Sequence, residues 1–494
     1  MKQYIYLIVL VFLGVSCSDD FLSENPKGSV MDPNLFFASD QIQLAADNLP
    51  ATFRSIYGNS GVVSPFMGGD DLTSRDGFNK QEFIQGDVFA VTDDNTRIFP
   101  YWSDCYNVIR SANSILDNVD KSSASNNLKD DVKGQAYFYR GLAYSFLTRI
   151  FGKVPLITKF ETNPDLNIEK AEIADIYDQI TKDLIAAESL LPNVRPEGPN
   201  ERGGYPGAKP CKGTVKALMS QVYLTMAGWP LKETSNYATA AQKAKEVIDN
   251  ADVYGYEILE DPHDLWTWAN NYTNKEIVLG MYFTPGSEQS MHGPLGSRPY
   301  EDFLGGWAHG WFDYAAEISF FKRFPEGIRK DATFKTIIGG LPWDDPAAAE
   351  HKHPYFDKYT DEFPGASWIG ARTAQVIRYA EVLLNYAEAQ AMTDGAPNAQ
   401  AYQAINTIRN RAGLPDLTPG LSAEAFRDSV IAERGWEFAG GEAPSRWFDL
   451  IRTEKVEEMN ALRDPVEIPL VKQPTHDDYW MPIPGIDAGV NPNL

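Results

Sequence analysis

Arg378, Glu381, Asn385 and Glu388 fall on one stripe of the helical run RYAEVLLNYAEAQAM, and its two glutamates are the pair that glycoside hydrolysis would use. Seven residues at about 1.5 Å rise set them roughly 10 Å apart along the axis. That exceeds the roughly 5 to 9.5 Å at which glycosidases hold their carboxylates, although side-chain flexure narrows the gap. Glu433 and Glu437 are one turn apart, but Arg434, Arg446 and Arg452 lie close in sequence. This cluster reads as salt bridges holding the helix to the following WFDLIR segment. No nucleophile elbow, phosphate loop or HExxH spacing is present. Of the six histidines, the pair in HKHP, His351 and His353, reads as an exposed loop rather than a metal clamp. Cys105 and Cys211 lie in or beside helical stretches and imply neither a disulfide framework nor a thiolate metal site. The chain is therefore expected to be no enzyme, with no catalytic residue, metal ligand or cofactor.

Binding chemistry is better represented. Trp266, Trp268, Trp307, Trp311, Trp343 and Trp368 fall in a stretch broken by Gly and Pro, outside any helical period. An indole offers an apolar face to the C–H side of a sugar, while nearby Asp, Asn and Arg reach its hydroxyls. Asp70, Asp71, Arg75 and Phe78 in the Gly-flanked loop GGDDLTSRDGF suit that second role. Together with Trp266, Trp268, Tyr300, Trp307, Trp311, Trp368 and Arg372 they form the expected glycan-binding set. For each, packing against its own loop is the competing reading. Trp102, Trp436, Trp447 and Trp480 are assigned to the core.

The elements that must position these residues are mostly helical. In KGQAYFYRGLAYSFLTRIFGKVPLI the residues Ala136, Tyr139, Ala143, Phe146 and Ile150, continuing from Val132, step by three and four along one face, and Gly152 and Pro155 close the helix. EIADIYDQITKDLIAAESLLP, KGTVKALMSQVYLTMAG and YATAAQKAKEVIDN follow, giving helix pairs of the kind that stack into solenoids. Periodicity is lost from about 251 to 371, where only EIVLGMYF reads as a strand, and so long an irregular insertion points to function. RTAQVIRYAEVLLNYAEAQAM restarts the helices, with Val376, Ala380, Leu383, Ala387 and Ala391 on one face. NAQAYQAINTIRNRAG and AEAFRDSVIAERGWEFAGG continue them, before an extended, Pro-punctuated tail.

The formal charge is -24, one unit more negative without the first sixteen residues, whose only charge is Lys2. So acidic a surface disfavours nucleic acid and anionic lipid heads. The uncharged run Tyr4 to Leu13 is too short to span a bilayer and passes through Gly14 and Ser16 to Cys17. It resembles the lipobox of bacterial lipoproteins, with Gly14 in the usual Leu place, which implies acylation of Cys17 after cleavage. In Bacteroidetes-type lipoproteins a Ser and acidic residues after that Cys resemble an export signal to the cell exterior, a role Ser18, Asp19 and Asp20 fit.

Four segments in order, KGQAYFYRGLAYSFLTRIFGKVPL, RYAEVLLNYAEAQAM with INTIRNRAGLP, AERGWEFAGGEAPSRWFDLIR and PIPGIDAGVNPNL, resemble the SusD/RagB family of outer-membrane nutrient-binding lipoproteins. The resemblance implies a mainly α, SusD-like fold of tetratricopeptide-like helix pairs plus an irregular, loop-rich lobe. The expected organisation is a signal peptide at 1–16, a lipidated linker at 17–30, a helical region at 31–250, a ligand-binding lobe at 251–371 and a C-terminal region at 372–494. It further implies a non-catalytic, lipid-anchored surface protein that captures an oligo- or polysaccharide and passes it to a SusC-like TonB-dependent transporter. A peptide-capturing member of the family and a helical-repeat scaffold for protein partners are the alternatives.

Overall fold

The computed structural model describes residues 38–494 except 60, 76–80, 162–164, 196–203, 287–288, 291–310, 339, 347–351, 360–369 and 443–445. Helices dominate it. The longer ones are α1 (Ser39–Arg54), α2 (Phe99–Asn118), α3 (Asn126–Phe151), α4 (Ile173–Leu190), α5 (Lys212–Ala227), α6 (Asn236–Ile248), α7 (Tyr379–Asp394), α8 (Ala399–Arg411) and α9 (Ala423–Glu437). Local chemistry sets their ends. Ser125, Asn398 and Ser422 cap α3, α8 and α9 by accepting from Leu128, Ala401 and Ala425 N–H groups. Gly152 closes α3 at φ 71°, a left-handed conformation that a Cβ would disfavour, beneath the ring of Trp480. From Val132 onward α3 is buried on almost every side, which makes it the axis of the core. Neighbouring helices pack as pairs, α2 with α3, α3 with α4, α5 with α6, while α7 lies against α6, α8 and α9.

Three sequence expectations are corrected. Helix α1 precedes the helices legible from the sequence, because Pro50 and its polar residues blur its stripe, whereas α2 takes up YWSDCYNVIRSANSIL, where Trp102 reads as the start of a helix. Val376 does not open α7. It lies in a strand, Ala374–Arg378, whose β-branched Val376 and Ile377 are buried within a β pair. The tail is extended only in part, with a helical turn at Gly485–Ala488.

The strands are β1 (Leu72–Ser74), β2 (Ile277–Met281), β3 (Tyr314–Ala316), β4 (Phe334–Lys335), β5 (Ile337–Ile338), β6 (Leu341–Pro342), β7 (Tyr355–Phe356) and β8 (Ala374–Arg378). They form four antiparallel pairs, β1 with β3, β2 with β8, β4 with β7 and β5 with β6. Isolated two-stranded ribbons are marginal in water. Buried ion pairs supply the missing support. Arg378, fully buried, donates to Glu276 at 2.6 Å, Glu437 at 2.8 Å and Glu442 at 2.9 Å. Arg411 bridges Glu276 and Glu437, and Arg329 bridges Glu433 and Glu437. Burial alone would raise the Glu437 carboxyl, but Arg411, Arg378 and Arg329 outweigh it and hold it far below the usual range. Glu433 and Glu437 therefore tie α9 to these arginines rather than to WFDLIR; that link is made by Arg434 to Asp449 at 2.7 Å.

Candidate functional site

Pairing of β1 with β3, Ser74 opposite Tyr314, carries Arg75 beside the residues preceding β3. Its guanidinium lies 5.4 Å from the Phe312 ring centroid, a cation–π distance. Phe312 holds φ 52°, uncommon for an aromatic residue, and packs on Tyr355 at 4.3 Å. Three residues past Tyr355, Lys358 Nζ sits 5.0 Å over the Trp266 ring, and the Trp266 carbonyl accepts a hydrogen bond from Arg372. Arg75, Phe312, Tyr355, Lys358, Trp266 and Arg372 thus form a run drawn from five chain segments, its two contacting groups joined along the chain from Tyr355 to Lys358.

Their exposures differ. Phe312, Tyr355, Lys358, Arg372 and Trp266 are buried, at 0%, 1%, 3%, 5% and 8%, whereas Arg75, and Trp268 and Trp311 beside the run, are half-buried. Lys358 and the Arg372 bond hold Trp266 in the interior, while Trp268, Trp311 and Trp343 are half-buried. Asp70 and Asp71 point inward. Asp70 pairs with Arg446 at 2.7 Å and Arg323 at 3.1 Å; burial would raise its carboxyl, but Arg446 and then Arg323 hold it low. Asp71 accepts from the Gly440 N–H at 3.2 Å, and burial followed by the Asp70 charge pushes it up to about 7. Both carboxylates serve interior contacts instead of the open hydroxyl-binding loop expected of them. Cys17, Ser18, Asp19, Asp20, Phe78, Tyr300, Trp307 and Trp368 lie outside the described residues.

Sequence reasoning missed a tyrosine cluster. Tyr205 stacks on Tyr282 at 4.9 Å and 29°, and meets Tyr272 at 4.8 Å and 37°. Trp268 adds its edge to Tyr272 at 5.6 Å. All four rings are half-buried. The Tyr282 hydroxyl donates to the Pro206 carbonyl at 2.6 Å and Arg54 donates to the Tyr282 carbonyl at 2.8 Å, so the platform is anchored at both ends. The available signal was Tyr272 just before the strand-like EIVLGMYF and Tyr282 within it; Tyr205, in a Gly/Pro-rich loop, gave none.

The carboxylates considered for catalysis are interior. Glu388 is held by both terminal nitrogens of Arg452, at 2.5 and 2.8 Å. Glu381 accepts from Gln221 at 2.7 Å, and burial, ahead of its other influences, raises its carboxyl to about 7. Perturbed carboxyls often mark active sites, but Glu381 and Glu388 are both fully buried and face no cleft. Among the described residues no group of three or more His, Cys, Asp or Glu is placed to hold a metal ion. Cys105 and Cys211 are buried free thiols. Trp102 and Trp447 are buried as expected, whereas Trp436 and Trp480 are only half-buried. His353 is no exposed loop residue, since it pairs with the buried Glu467 at 3.0 Å.

Comparison with known proteins follows this geometry. Residues 67–224 match the SusD-like_3 family model, described as starch-binding associating with outer membrane, and residues 346–494 match the SusD_RagB model, described as SusD family. SusD-like protein P2 of Formosa agariphila is 26% identical, with 100% of this chain and 99% of the relative covered. A SusD-like protein of Bacteroides ovatus is 25% identical over 91% of this chain and 82% of its own. A SusD superfamily protein from Parabacteroides distasonis superposes with TM-score 0.76 at 25% identity, covering 92% and 98% of the two chains. A laminarin binding SusD-like protein shares the fold at TM-score 0.75 and 22% identity, covering 92% and 98%. With family models matching residues 67–224 and 346–494, and relatives alike over most of their length, the chain belongs to the SusD/RagB family.

Proposed function

We propose that this protein is a non-catalytic surface lipoprotein that captures an oligo- or polysaccharide and delivers it to a SusC-like TonB-dependent transporter. The observation that carries the reading is the half-buried set Arg75, Trp311 and Trp268, backed by the buried Phe312, Tyr355, Lys358, Trp266 and Arg372, with the tyrosine platform following on through Trp268. Indole faces take the C–H side of a pyranose and guanidinium groups take its hydroxyls. Phe78, Tyr300, Trp307 and Trp368 belong to the same proposed set. The structural relatives include a laminarin binding protein and one in complex with a xylogluco-oligosaccharide, which supports a glucan-type ligand. Attachment is assigned to a lipid on Cys17, from the uncharged run Tyr4 to Leu13 and the small residues Gly14 and Ser16 that lead to it. Ser18, Asp19 and Asp20 are assigned to export toward the cell exterior. The test is to incubate the purified protein with laminarin and xyloglucan oligosaccharides. Complex formation with the sugars recovered intact is expected; release of reducing ends would overturn the non-catalytic reading.

A further inference from the structure

A cleft that shares no residue with the Arg75 to Arg372 run lies between residues 86–92 and the tail at 472–482, with a volume of about 610 Å³. Its floor is aromatic: Trp447 and Phe89, with ring centroids 6.2 Å apart, sit over Gly68, where a Cβ would come within 2.8 Å of the indole. Phe89 follows the short helix Gln81–Asp87 at φ 58°, with the Ala90 N–H bonded to the Gln85 carbonyl. That left-handed position after a helix is ordinarily taken by Gly or Asn, and a bulky residue there is strained. The chain nevertheless places an aromatic ring there, under the cleft.

One wall is Trp480. Its ring covers Gly152 and lies 4.6 Å from the Trp229 centroid, so it is held rigidly while remaining half-buried. Above it the rim is polar. Lys472 pairs with Asp478 at 2.5 Å, and Thr92 and Asp477 are exposed. Asp477 makes no hydrogen bond through its side chain to any described residue. A rigid indole wall, an apolar floor and an uncommitted carboxylate at the mouth match a pyranose ring, which is apolar on its faces and polar around its edge. We infer that this cleft is a second carbohydrate subsite, which takes one or two pyranose units against Trp480 with their hydroxyls donating to Asp477. The inference rests on the glycan-binding reading of the protein. Gly68 and Arg75, one at each site, are separated by seven residues, so the sites lie no more than about 26 Å apart along that segment. Two weak subsites so linked would hold a polymer more tightly than either alone.

The full chain labelled with 5-fluorotryptophan, titrated with β-1,3-glucan and xyloglucan oligosaccharides and followed by fluorine NMR, reports each indole separately, and Trp→Phe variants assign the signals. The Trp480 signal is expected to shift with ligand and to keep shifting in Trp311→Ala. Asp477→Asn, on the exposed rim, is expected to weaken the Trp480 response about five- to thirtyfold with its unliganded spectrum unchanged. A Trp480 signal that stays still while Trp311 responds overturns the subsite alone. Silence of both indoles with every oligosaccharide overturns the glycan reading and the subsite with it. Movement of Trp480 only on removal of residues 18–37 assigns the cleft to the chain's own N-terminal segment and overturns the subsite.

Discussion

Glu381 shows how a residue with the right type and spacing serves the interior instead of a reaction. Its carboxyl is fully buried, its Oε1 is bonded to Gln221, and Oε2 has no hydrogen-bond partner among the described residues. With its folded pKa raised to about 7, the folded chain holds a proton that the unfolded chain releases above about pH 4.5. Stability therefore falls as pH rises through that window, by up to about 1.4 kcal/mol per unit, and levels off above about pH 7. Glu381→Gln removes this dependence and leaves the shared ionisations of Asp70 and Asp449 in place. The wild type minus variant difference in unfolding free energy, measured in urea from pH 4.5 to 8, is expected to fall toward pH 7 and then stay flat. A constant difference would show that the carboxyl does not hold its proton in the fold.

Helices α3 to α6, α8 and α9 were legible because their apolar residues recur every three to four positions, and α3, α8 and α9 also start on Ser or Asn caps. The β8 strand was not. AQVIR runs into YAEVLL without a break in apolar content, and only pairing with Ile277–Met281 separates strand from helix. The site was legible in residue type and not in arrangement. Nothing in local sequence says that Lys358 will lie over Trp266, that Asp70 will meet Arg446, or that Tyr205 will stack on a strand seventy-odd positions away. The Tyr205 loop depends on one glycine. Gly207 adopts φ 65°, its carbonyl accepts from Gly280, and a Cβ there would come within 2.8 Å of the Val278 backbone. Gly207→Ala is expected to destabilise the fold by about 1 to 3 kcal/mol and to disperse the tyrosine stack, lowering the melting temperature and the near-UV circular dichroism. An unchanged spectrum would mean that the platform does not depend on this loop.

At the scale of the whole molecule, helix pairs form a frame, short β ribbons are clamped to it by buried arginines, and the aromatic run sits where the ribbons meet loops from both halves of the sequence. A frame of this kind would hold the proposed glycan face fixed and so keep the ordering cost of binding low. The proposed placement on the cell rests on Cys17, Ser18, Asp19 and Asp20. Mass spectrometry of the native N-terminus is expected to find an acylated Cys17, and an unmodified thiol or a different cleavage point would contradict the anchor. Replacing Ser18, Asp19 and Asp20 by Ala is expected to protect the protein from protease added to whole cells; unchanged digestion would leave those residues with a solvating role only.

The most direct measurement is calorimetry of the purified chain with a laminarin or xyloglucan oligosaccharide, comparing the wild type with Trp311→Ala and Arg75→Ala after circular dichroism confirms folding. Loss of one stacked indole face, about 1 to 2 kcal/mol, is expected to weaken binding about five- to thirtyfold, and loss of the Arg75 guanidinium is expected to weaken it in the same direction. Wild-type affinity in both folded variants would contradict the placement of the glycan on this face.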